Sequence, residues 1–338
     1  MKENHKRTGY FTQREENMKK IGFVIGILML CCCFLSGNAR AEEWPGKPIT
    51  VVVPWAAGGM TDVTSRLLAE KLKGKLGQAV VISNMGGAGG ITGMRAILAA
   101  KADGYTIGSG AISSALSAPY FLDSPTFDLK KLDYIGSYAL QERIIFAPVG
   151  KPYKTWPELM DHVKKNPGTL SLGFGGNQLS VEVTKSLMKK EGLKLKLVMF
   201  KTGGEASTAM LGGHVDLVET GSGTPAYQAA REGKLIPIVN LGSSSDPHFT
   251  TLKNMVDLGN PYSCTSDYGM MVPAGVPEPI RAKLEKALKE VLEDPGVKET
   301  LFNMGLNRKF LTGKEYRDLV VKMVESIPKL AEFVKDVQ

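Results

Sequence analysis

The chain has 338 residues, of which 43% are hydrophobic and 22% are charged, so it is long enough for one large or two ordinary globular domains. This composition excludes a long low-complexity or disordered segment. The formal net charge is +8, about half of it from the first 41 residues, and the lysines after that segment are scattered. Because no basic block with interleaved aromatic residues occurs, the charge does not indicate nucleic-acid binding.

The first 41 residues predict a secretory signal peptide. Lys19 and Lys20 precede an uninterrupted apolar run, and Ala39-Arg40-Ala41 then supplies a cleavage site of the A-x-A type. We expect cleavage after Ala41 and a periplasmic or otherwise extracytoplasmic location for the mature chain. A retained membrane anchor is the alternative, but the apolar run is shorter than the roughly 20 residues that a membrane-spanning helix needs.

Residues 48–111 predict a first series of alternating strands and helices. The run "PITVVVPW" is continuously apolar, as in a strand that is buried on both faces. The helix after it carries Leu68, Leu72 and Leu76 on one side and ends at Gly77. The runs "AVVIS" and "YTIGSGA" predict two further strands, with the helix "ITGMRAILAA" between them. This alternation predicts α/β layers around a parallel sheet.

The rest of the chain predicts a second α/β series and a return to the first. Residues 134–149 hold two extended runs without a helix between them, and four helices then alternate with strands as far as "LIPIVNLG". An irregular stretch over 243–267, a strand "YGMMVPA" and two amphipathic helices close the chain. Extended crossovers near Ile144 and Ile238 then predict two lobes that close by a hinge. After the signal peptide over 1–41, lobe 1 takes 42–143 and 243–338, and lobe 2 takes 144–242.

The first strand-to-helix turn, "PWAAGGMTD", is typical of an anion site. Gly58 and Gly59 permit close backbone approach, and Thr61 or Asp62 can cap the helix that follows. Exposed N–H groups at a helix N-terminus, with the helix dipole behind them, attract anions. An ordinary connecting turn is the alternative, since glycine pairs are common at such places.

The second turn, "NMGGAGGITG", has five glycines between Gly86 and Gly93. It is not a P-loop, because no Gly-Lys-Ser or Gly-Lys-Thr follows, and it fits the dinucleotide fingerprint only loosely. In an open α/β sheet, two such turns face one crevice outside the carboxyl ends of the strands. The turns "GFGGNQLS", "FKTGGEAS" and "ETGSGTP" repeat the theme in the second series, and their neutral donors suit a carboxylate.

The chain after residue 41 offers no catalytic set. Its histidines are His162, His214 and His248, and each falls in a context typical of surface or turn residues. No G-x-S-x-G or H-E-x-x-H motif stands out, and a single cysteine, Cys264, excludes an internal disulfide and a cysteine-based metal site. We therefore expect no enzyme activity, no metal and no cofactor. A secreted hydrolase that uses the same cleft is the alternative from another class.

Several ordered motifs together resemble the substrate-binding proteins of the tripartite tricarboxylate transporter system, the TctC or Bug family. They are "WPGKPITVVVPWAAGGMTDVTSRLLAEKL", "GGAGGITG" with "KADGYTIG", "NPGTLSLGFGG", "MLGGHVD" and "MVPAGVPEPI", and the resemblance covers Trp44 to about Lys335. It implies a two-lobed periplasmic-binding-protein fold of the second type, with a ligand cleft between lobes that two crossover strands join. It also implies a small carboxylate ligand and a membrane permease as partner. We expect the protein to act as a monomer.

The resemblance also implies ligand contacts at matching positions. The first turn gives Trp55, Ala56, Gly58, Gly59, Met60, Thr61 and Asp62; the second gives Ala88, Gly89 and Gly90; the third strand's end gives Ser113; and the opposite lobe gives Asn177, Thr202, Gly203 and Glu205. Trp55 stands where the family often has Phe, and Phe200 stands where Tyr is usual, so these departures bear on ligand identity rather than on the fold. The resemblance implies an exported solute-binding protein for a di- or tricarboxylate or a related acid. A ligand-sensing subunit of a signalling system is the alternative that the sequence leaves open.

Overall fold

The computed structural model describes residues 43–121, 124, 126–176, 178–307 and 310–337, and of Ser113 it describes the backbone alone. The predicted signal peptide over 1–41 lies outside these residues. Lys47–Gln338 form one compact unit. Within the described ranges, no helix is both long enough and apolar enough to cross a membrane.

The described residues form ten strands and ten α-helices. The strands are β1 (Ile49–Val53), β2 (Val80–Asn84), β3 (Thr106–Ala111), β4 (Leu132–Pro148), β5 (Ser171–Gly175), β6 (Lys196–Phe200), β7 (Leu217–Gly221), β8 (Leu235–Asn240), β9 (Thr265–Pro273) and β10 (Leu311–Thr312). The helices are α1 (Met60–Leu76), α2 (Ile91–Leu98), α3 (Ile112–Ser117), α4 (Trp156–Lys165), α5 (Gln178–Glu191), α6 (Gly203–Leu211), α7 (Pro225–Arg231), α8 (Glu278–Glu293), α9 (Pro295–Asn303) and α10 (Gly313–Val334).

The strands form one sheet with two halves that share β4. In the first half the order is β2-β1-β3-β9-β4, with β1 parallel to its neighbours and β9 antiparallel to both of its own. In the second half the order is β4-β7-β5-β6, with β5 parallel to its neighbours and β8 also paired to β4. The change occurs within β4, because Leu132–Glu142 pair with β9 whereas Arg143–Pro148 pair with β7 and β8.

Two expectations about the chain path need correction. The two extended runs over 134–149 are one strand of 17 residues, β4, because pairing continues on both sides of the switch at Glu142 and Arg143. The second crossover is not at Ile238, which lies inside β8 between two residues that pair with β4; the chain enters the first half at Thr265. The lobe boundaries at 143/144 and 242/243 stay a prediction about which residues move together.

Three helices follow β9, not the two that were expected. α8 ends at Glu293 because Asp294 takes an extended conformation and is the N-cap of α9. The Asp294 side chain accepts a hydrogen bond from the Val297 N–H at 3.1 Å, and Pro295 occupies the first position of α9, where its missing N–H costs nothing. A cap followed by proline thus starts a separate short helix.

Apolar side chains form a core cluster against the first half of the sheet and separate clusters against the second half. The C-terminal helix α10 contributes to both halves: Tyr316 and Val320 pack in the first-half cluster, and Leu330 and Val334 pack in one of the second-half clusters. All four side chains are almost fully buried. Since burying such a side chain contributes about 1.5–3 kcal/mol, α10 stabilises both halves and joins them.

Candidate functional site

A cavity of about 460 Å³ opens between the two halves, at the carboxyl ends of the parallel strands. Its first wall comes from the first half and consists of Trp55, Gly59, Met60, Thr61, Gly89, Ser114 and Ser117 of α3, and the residues Ala111 and Ala118 on either side of that helix. Its second wall comes from the second half and consists of Gly175, Gly176, Gln178, Leu179 and the segment 199–203, apart from Phe200. Its floor is formed by Gln141, Arg143, Ser266 and Tyr268.

The first wall contains the N-terminus of the 17-residue helix α1. Gly59 is the N-cap and has no side chain to cap the first turn, so backbone N–H groups there have no partner within the helix. Met60 and Thr61 of this turn line the cavity. The first turn of α1, which carries the N–H groups and the positive end of the helix dipole, thus lies at the cavity wall, which favours an anionic ligand group.

Two glycines provide the surface on which the Trp55 indole lies. A methyl group at Gly90 would stand 3.4 Å from Trp55 Cζ2 and 2.8 Å from Ala115 Cβ, and one at Gly110 would stand 3.2 Å from Trp55 Cζ3. Gly110 also has a φ of +132°, which side-chain-bearing residues rarely adopt. A side chain at Gly90 would clash with Ala115, and one at Gly110 would clash with Thr61 and crowd the indole, so either substitution would shift the first wall.

Asp62 supports the first turn from behind and does not line the cavity. Its carboxylate accepts hydrogen bonds from Gly58 N–H at 2.9 Å, Asn84 Nδ2 at 3.0 Å and Arg66 Nε at 3.1 Å. Burial opposes its charge, but the donors from Arg66, Gly58 and Asn84 outweigh burial and hold the pKa of Asp62 below its ordinary value. Its observed contacts are structural, and they fix the backbone of the glycine turn.

The second wall presents two more helix N-termini. Gln178 begins α5, and Gly203 begins α6; both line the cavity. Thr202 caps α6, accepting a hydrogen bond from Glu205 N–H at 3.1 Å. The exposed Glu205 accepts one from the Lys201 N–H at 3.1 Å and lies outside the lining. Helix N-termini from both halves therefore converge on one cavity.

A hydrogen-bonded chain of neutral groups forms part of the floor. Tyr268 donates its phenol proton to Gln141 Oε1 at 3.2 Å, and Gln141 Nε2 donates to Ser222 O at 2.9 Å and to Ser222 Oγ at 3.1 Å. Burial raises the pKa of Tyr268, so the phenol stays protonated at neutral pH. This chain links β9 and β4 to the turn after β7 and fixes the floor side chains.

A buried ion pair completes the floor. Arg143 donates from Nε to Glu219 Oε1 at 2.6 Å and from Nη2 to Glu219 Oε2 at 2.9 Å, and Ser180 Oγ donates to the same Oε2 at 3.0 Å. Arg143 is 7% exposed and Glu219 is fully buried. Burial disfavours the guanidinium charge, but Glu219 outweighs it and raises the pKa of Arg143. The arginine is therefore charged and fixed in a cavity surface.

The other face of β4 carries an acidic residue in a different environment. Glu142 is 1% exposed; Ser244 donates to its Oε1, and no hydrogen-bond partner of Oε2 occurs in the described part of the chain. Burial raises the pKa of Glu142 to about 7, and Asp267 and Asp246 add repulsion. Successive side chains of a strand point to opposite faces, so Gln141 and Arg143 face the cavity while Glu142 does not.

The structure brings together seven of the fifteen site residues expected from sequence. The lining contains Trp55, Gly59, Met60, Thr61, Gly89, Thr202 and Gly203. Six others lie beside these in the same turns without lining the cavity: Ala56, Gly58, Asp62, Ala88, Gly90 and Glu205. Asn177 lies outside the described residues, and Ser113 belongs to α3 with its side chain undescribed. Ligand contact at all fifteen positions stays a prediction.

The floor was missed by the sequence reasoning, as were Ser114 and Ser117 of α3 and Lys201. One signal was present for the floor: the polar triplet "QER" at 141–143 interrupts a strand whose other residues are mostly apolar. Polar residues in a buried strand need partners, and that requirement marks them as candidates for a site.

Other groups considered from sequence lie elsewhere. None of His162, His214 and His248 lines the cavity, and Cys264 is buried in the core of the second half. In the described ranges, no group of three or more His, Cys, Asp or Glu side chains is arranged to hold a metal ion.

Comparison with known proteins identifies the family. The family model of the tripartite tricarboxylate transporter family receptor, TctC, matches residues 64–333. A UPF0065 protein of Agrobacterium vitis is 30% identical over 298 residues, which cover 82% of this chain and 81% of that protein. The periplasmic binding protein BugD is 29% identical, with a TM-score of 0.72 over 86% of this chain and 99% of its own. MatC of Rhodopseudomonas palustris, solved with bound malate, is 26% identical, with a TM-score of 0.69 over 85% of this chain and 99% of its own. The chain thus has the α/β fold of a periplasmic binding protein of the second type and belongs to the tripartite tricarboxylate transporter family of receptors.

Proposed function

We propose that this protein is an exported solute-binding protein that captures a small organic carboxylate, such as a di- or tricarboxylate, in the cavity between the halves. The observation that carries this proposal is the convergence of the N-termini of α1, α5 and α6 on one cavity. Each such terminus acts as roughly half a positive charge, and its N–H groups donate to an anion. MatC, a relative of similar fold, was solved with malate, which agrees with this class of ligand.

We propose that the two halves close over the ligand about a hinge, and that both capture and delivery of the ligand depend on this closure. The two halves are joined by β4, by the chain that enters β9 and by α10. A ligand that contacts both walls favours the closed arrangement through contacts it makes only there. We propose that the closed, loaded protein then docks on a membrane permease of the tripartite tricarboxylate system, in the periplasm.

The test is a binding screen of the exported protein. Thermal unfolding is measured with mono-, di- and tricarboxylates, with amino acids as a separate group. A ligand at about 100 times its Kd adds roughly 2.7 kcal/mol to the unfolding free energy, which raises Tm by several degrees. If no carboxylate raises Tm, or if one is chemically converted during incubation, the proposal is wrong.

A matched pair of glycine variants assigns the binding to this cavity. Gly59 has an extended backbone, and a methyl group there would meet only Ala56 O at 3.8 Å, so Gly59→Val folds but places a branched side chain in the first wall. Gly74 of α1 is the control, because nothing lies within 4 Å of a methyl group at that position. We expect Gly59→Val to abolish the ligand-induced Tm shift and Gly74→Val to keep it.

A further inference from the structure

The Arg143 guanidinium is only partly used by its buried partner. Arginine has five N–H donors, and the two hydrogen bonds to Glu219 take one from Nε and one from Nη2. No other acceptor for this guanidinium occurs in the described part of the chain. Arg143 also lines the cavity floor, whereas Glu219 does not. Donors thus remain on the arginine at a surface that a ligand can reach.

The surrounding contacts hold this guanidinium in place. Glu219 grips it through two parallel bonds, and Ser180 anchors the Glu219 carboxylate from α5. A bidentate pair fixes the plane of the fork as well as its position. A ligand group that binds here therefore meets donors that have already lost their conformational freedom, which lowers the entropic cost of binding.

Lys201, the other cation of the lining, differs from Arg143 in each of these respects. It is exposed at the start of the second wall, and its ammonium group is on a flexible stem. An exposed charge mainly steers a ligand electrostatically and is screened by salt, whereas a fixed, buried donor discriminates between ligand groups. Variants of the two residues therefore compare electrostatic steering of the ligand, by Lys201, with recognition of one ligand group, by Arg143.

We propose that Arg143 is the specificity-determining residue of the cavity and binds the second acidic group of a dicarboxylate whose first carboxylate is held by the helix N-termini of the walls. This inference rests on the proposed function and adds a ligand class to it: dianionic acids in preference to monoanionic acids of the same length. Glu219 acts as a positioning residue, because it orients the guanidinium without lining the cavity.

The experiment uses pairs of ligands that differ in one charge. Each straight-chain dicarboxylate from succinate to suberate is titrated calorimetrically beside its monomethyl ester. The proteins are the wild type, Glu219→Gln, the double variant Arg143→Gln with Glu219→Gln, and Lys201→Gln. The double variant removes one positive and one negative charge and leaves two amides that can bond to each other, so the net charge of the protein is unchanged.

In the wild type we expect at least one dicarboxylate to bind about tenfold or more tightly than its monoester. The double variant weakens that dicarboxylate by roughly tenfold to a hundredfold, the range for one charge-assisted hydrogen-bonded contact, and changes the monoester by less than about twofold. Glu219→Gln lowers the preference for the dicarboxylate over its monoester severalfold, because the guanidinium loses the bidentate partner that orients it. Lys201→Gln weakens both ligands by less than about threefold.

Failure of the inference is distinguishable from failure of the proposed function. If the wild type binds neither member of any pair, the proposed function is wrong and the inference falls with it. If both members bind equally in the wild type, or the ratio is unaltered in the double variant, only the inference is overturned. Should the double variant not fold, Arg143→Lys decides the matter, since it keeps the charge that pairs with Glu219 but loses the planar fork: we expect it to lower the ratio of dicarboxylate to monoester affinity, and a ratio equal to that of the wild type overturns the inference.

Discussion

The first wall and the floor of the cavity differ in the groups that they present to a ligand. The wall consists of glycine backbone, the start of α1 and an indole resting on Gly90 and Gly110. The floor consists of polar side chains on two neighbouring strands, with a buried ion pair among them. Backbone donors of the wall are present whatever the side chains are, whereas the floor depends on each side chain and its partner.

This difference separates two tasks of the proposed site. A helix N-terminus accepts any carboxylate, so the wall suits a group that all ligands of the family share. A fixed guanidinium distinguishes ligands by what they carry at the other end. The two regions should therefore fail differently: substitutions in the floor should act through charge, and substitutions in the wall should act through shape.

The largest effect is expected where the floor loses one charge of its pair. Arg143→Gln leaves the fully buried charge of Glu219 without a positive partner, and breaking a buried ion pair in this way costs roughly 3–5 kcal/mol of unfolding free energy. Urea unfolding at neutral pH measures the loss. Adding Glu219→Gln should restore most of it, because no unpaired charge then remains.

An exposed ion pair supplies the control for this prediction. Lys314 and Asp318 lie 3.0 Å apart on α10 with side chains 86% and 62% exposed, so Lys314→Gln should cost at most about 0.5 kcal/mol. If Arg143→Gln lowers the unfolding free energy as little as Lys314→Gln does, burial does not make the Arg143–Glu219 pair important for stability. The expectation that the floor acts through charge and the wall through shape would then be wrong.

Glu142, on the face of β4 that points away from the cavity, predicts that the unfolding free energy depends on pH. Glu142 has a pKa of about 7 in the folded state, against an ordinary value of 4.5. Between pH 4.5 and pH 7 the folded state therefore binds more protons than the unfolded state, and its stability rises as pH falls. From pH 8 to pH 5 this group adds roughly 2 to 3 kcal/mol to the unfolding free energy. Glu142→Gln removes that gain, which urea unfolding at the two pH values detects.

Asp62→Asn is the matched control for the pH experiment. The pKa of Asp62 is held below its ordinary 3.8, so its contribution to stability is present above that value and is lost only as pH falls through the lowered pKa. Between pH 5 and pH 8 the carboxylate is ionised in both states. Asp62→Asn should therefore lower stability equally at both pH values; a slope altered as much as in Glu142→Gln would contradict the assignment.

The wall was predictable from sequence because its signals are local. The turns "WAAGGMTD" and "GGAGGITG" place glycines directly before helices, and the strand before each turn sets its position at the sheet edge. The separate helix α9 was also encoded locally, by Asp294 followed by Pro295, but that signal was overlooked. Features that depend on residues adjacent in the sequence could therefore be predicted from the sequence alone.

The floor could not be predicted in the same way because it depends on strand register. Gln141 lies opposite Ser266 in the β4–β9 ladder, and Arg143 meets Glu219 through the β4–β7 ladder, so each contact joins distant parts of the chain. A shift of one residue in register would turn every one of these side chains to the other face. The triplet "QER" indicated that the strand was unusual but not which residues it meets.

The smallest effect is expected within the wall, where two glycines should respond in opposite ways. At Gly110, φ is +132° and a methyl group would lie 2.1 Å from Thr61 Cγ2, so Gly110→Ala should cost about 2 kcal/mol through backbone strain and overpacking. At Gly59, φ is −78° and the space is open, so Gly59→Ala should change stability by no more than about 0.5–1 kcal/mol and can increase it. Urea unfolding of both variants measures the two changes in stability.

Ligand binding by the same two variants is measured by carboxylate titration. Because Thr61 and Trp55 both line the cavity, Gly110→Ala should weaken binding of monocarboxylates and dicarboxylates by the same factor, whereas a floor variant changes the ratio of the two affinities. Equal stability losses at the two glycines, or a changed ratio in Gly110→Ala, would mean that the wall does not act through shape.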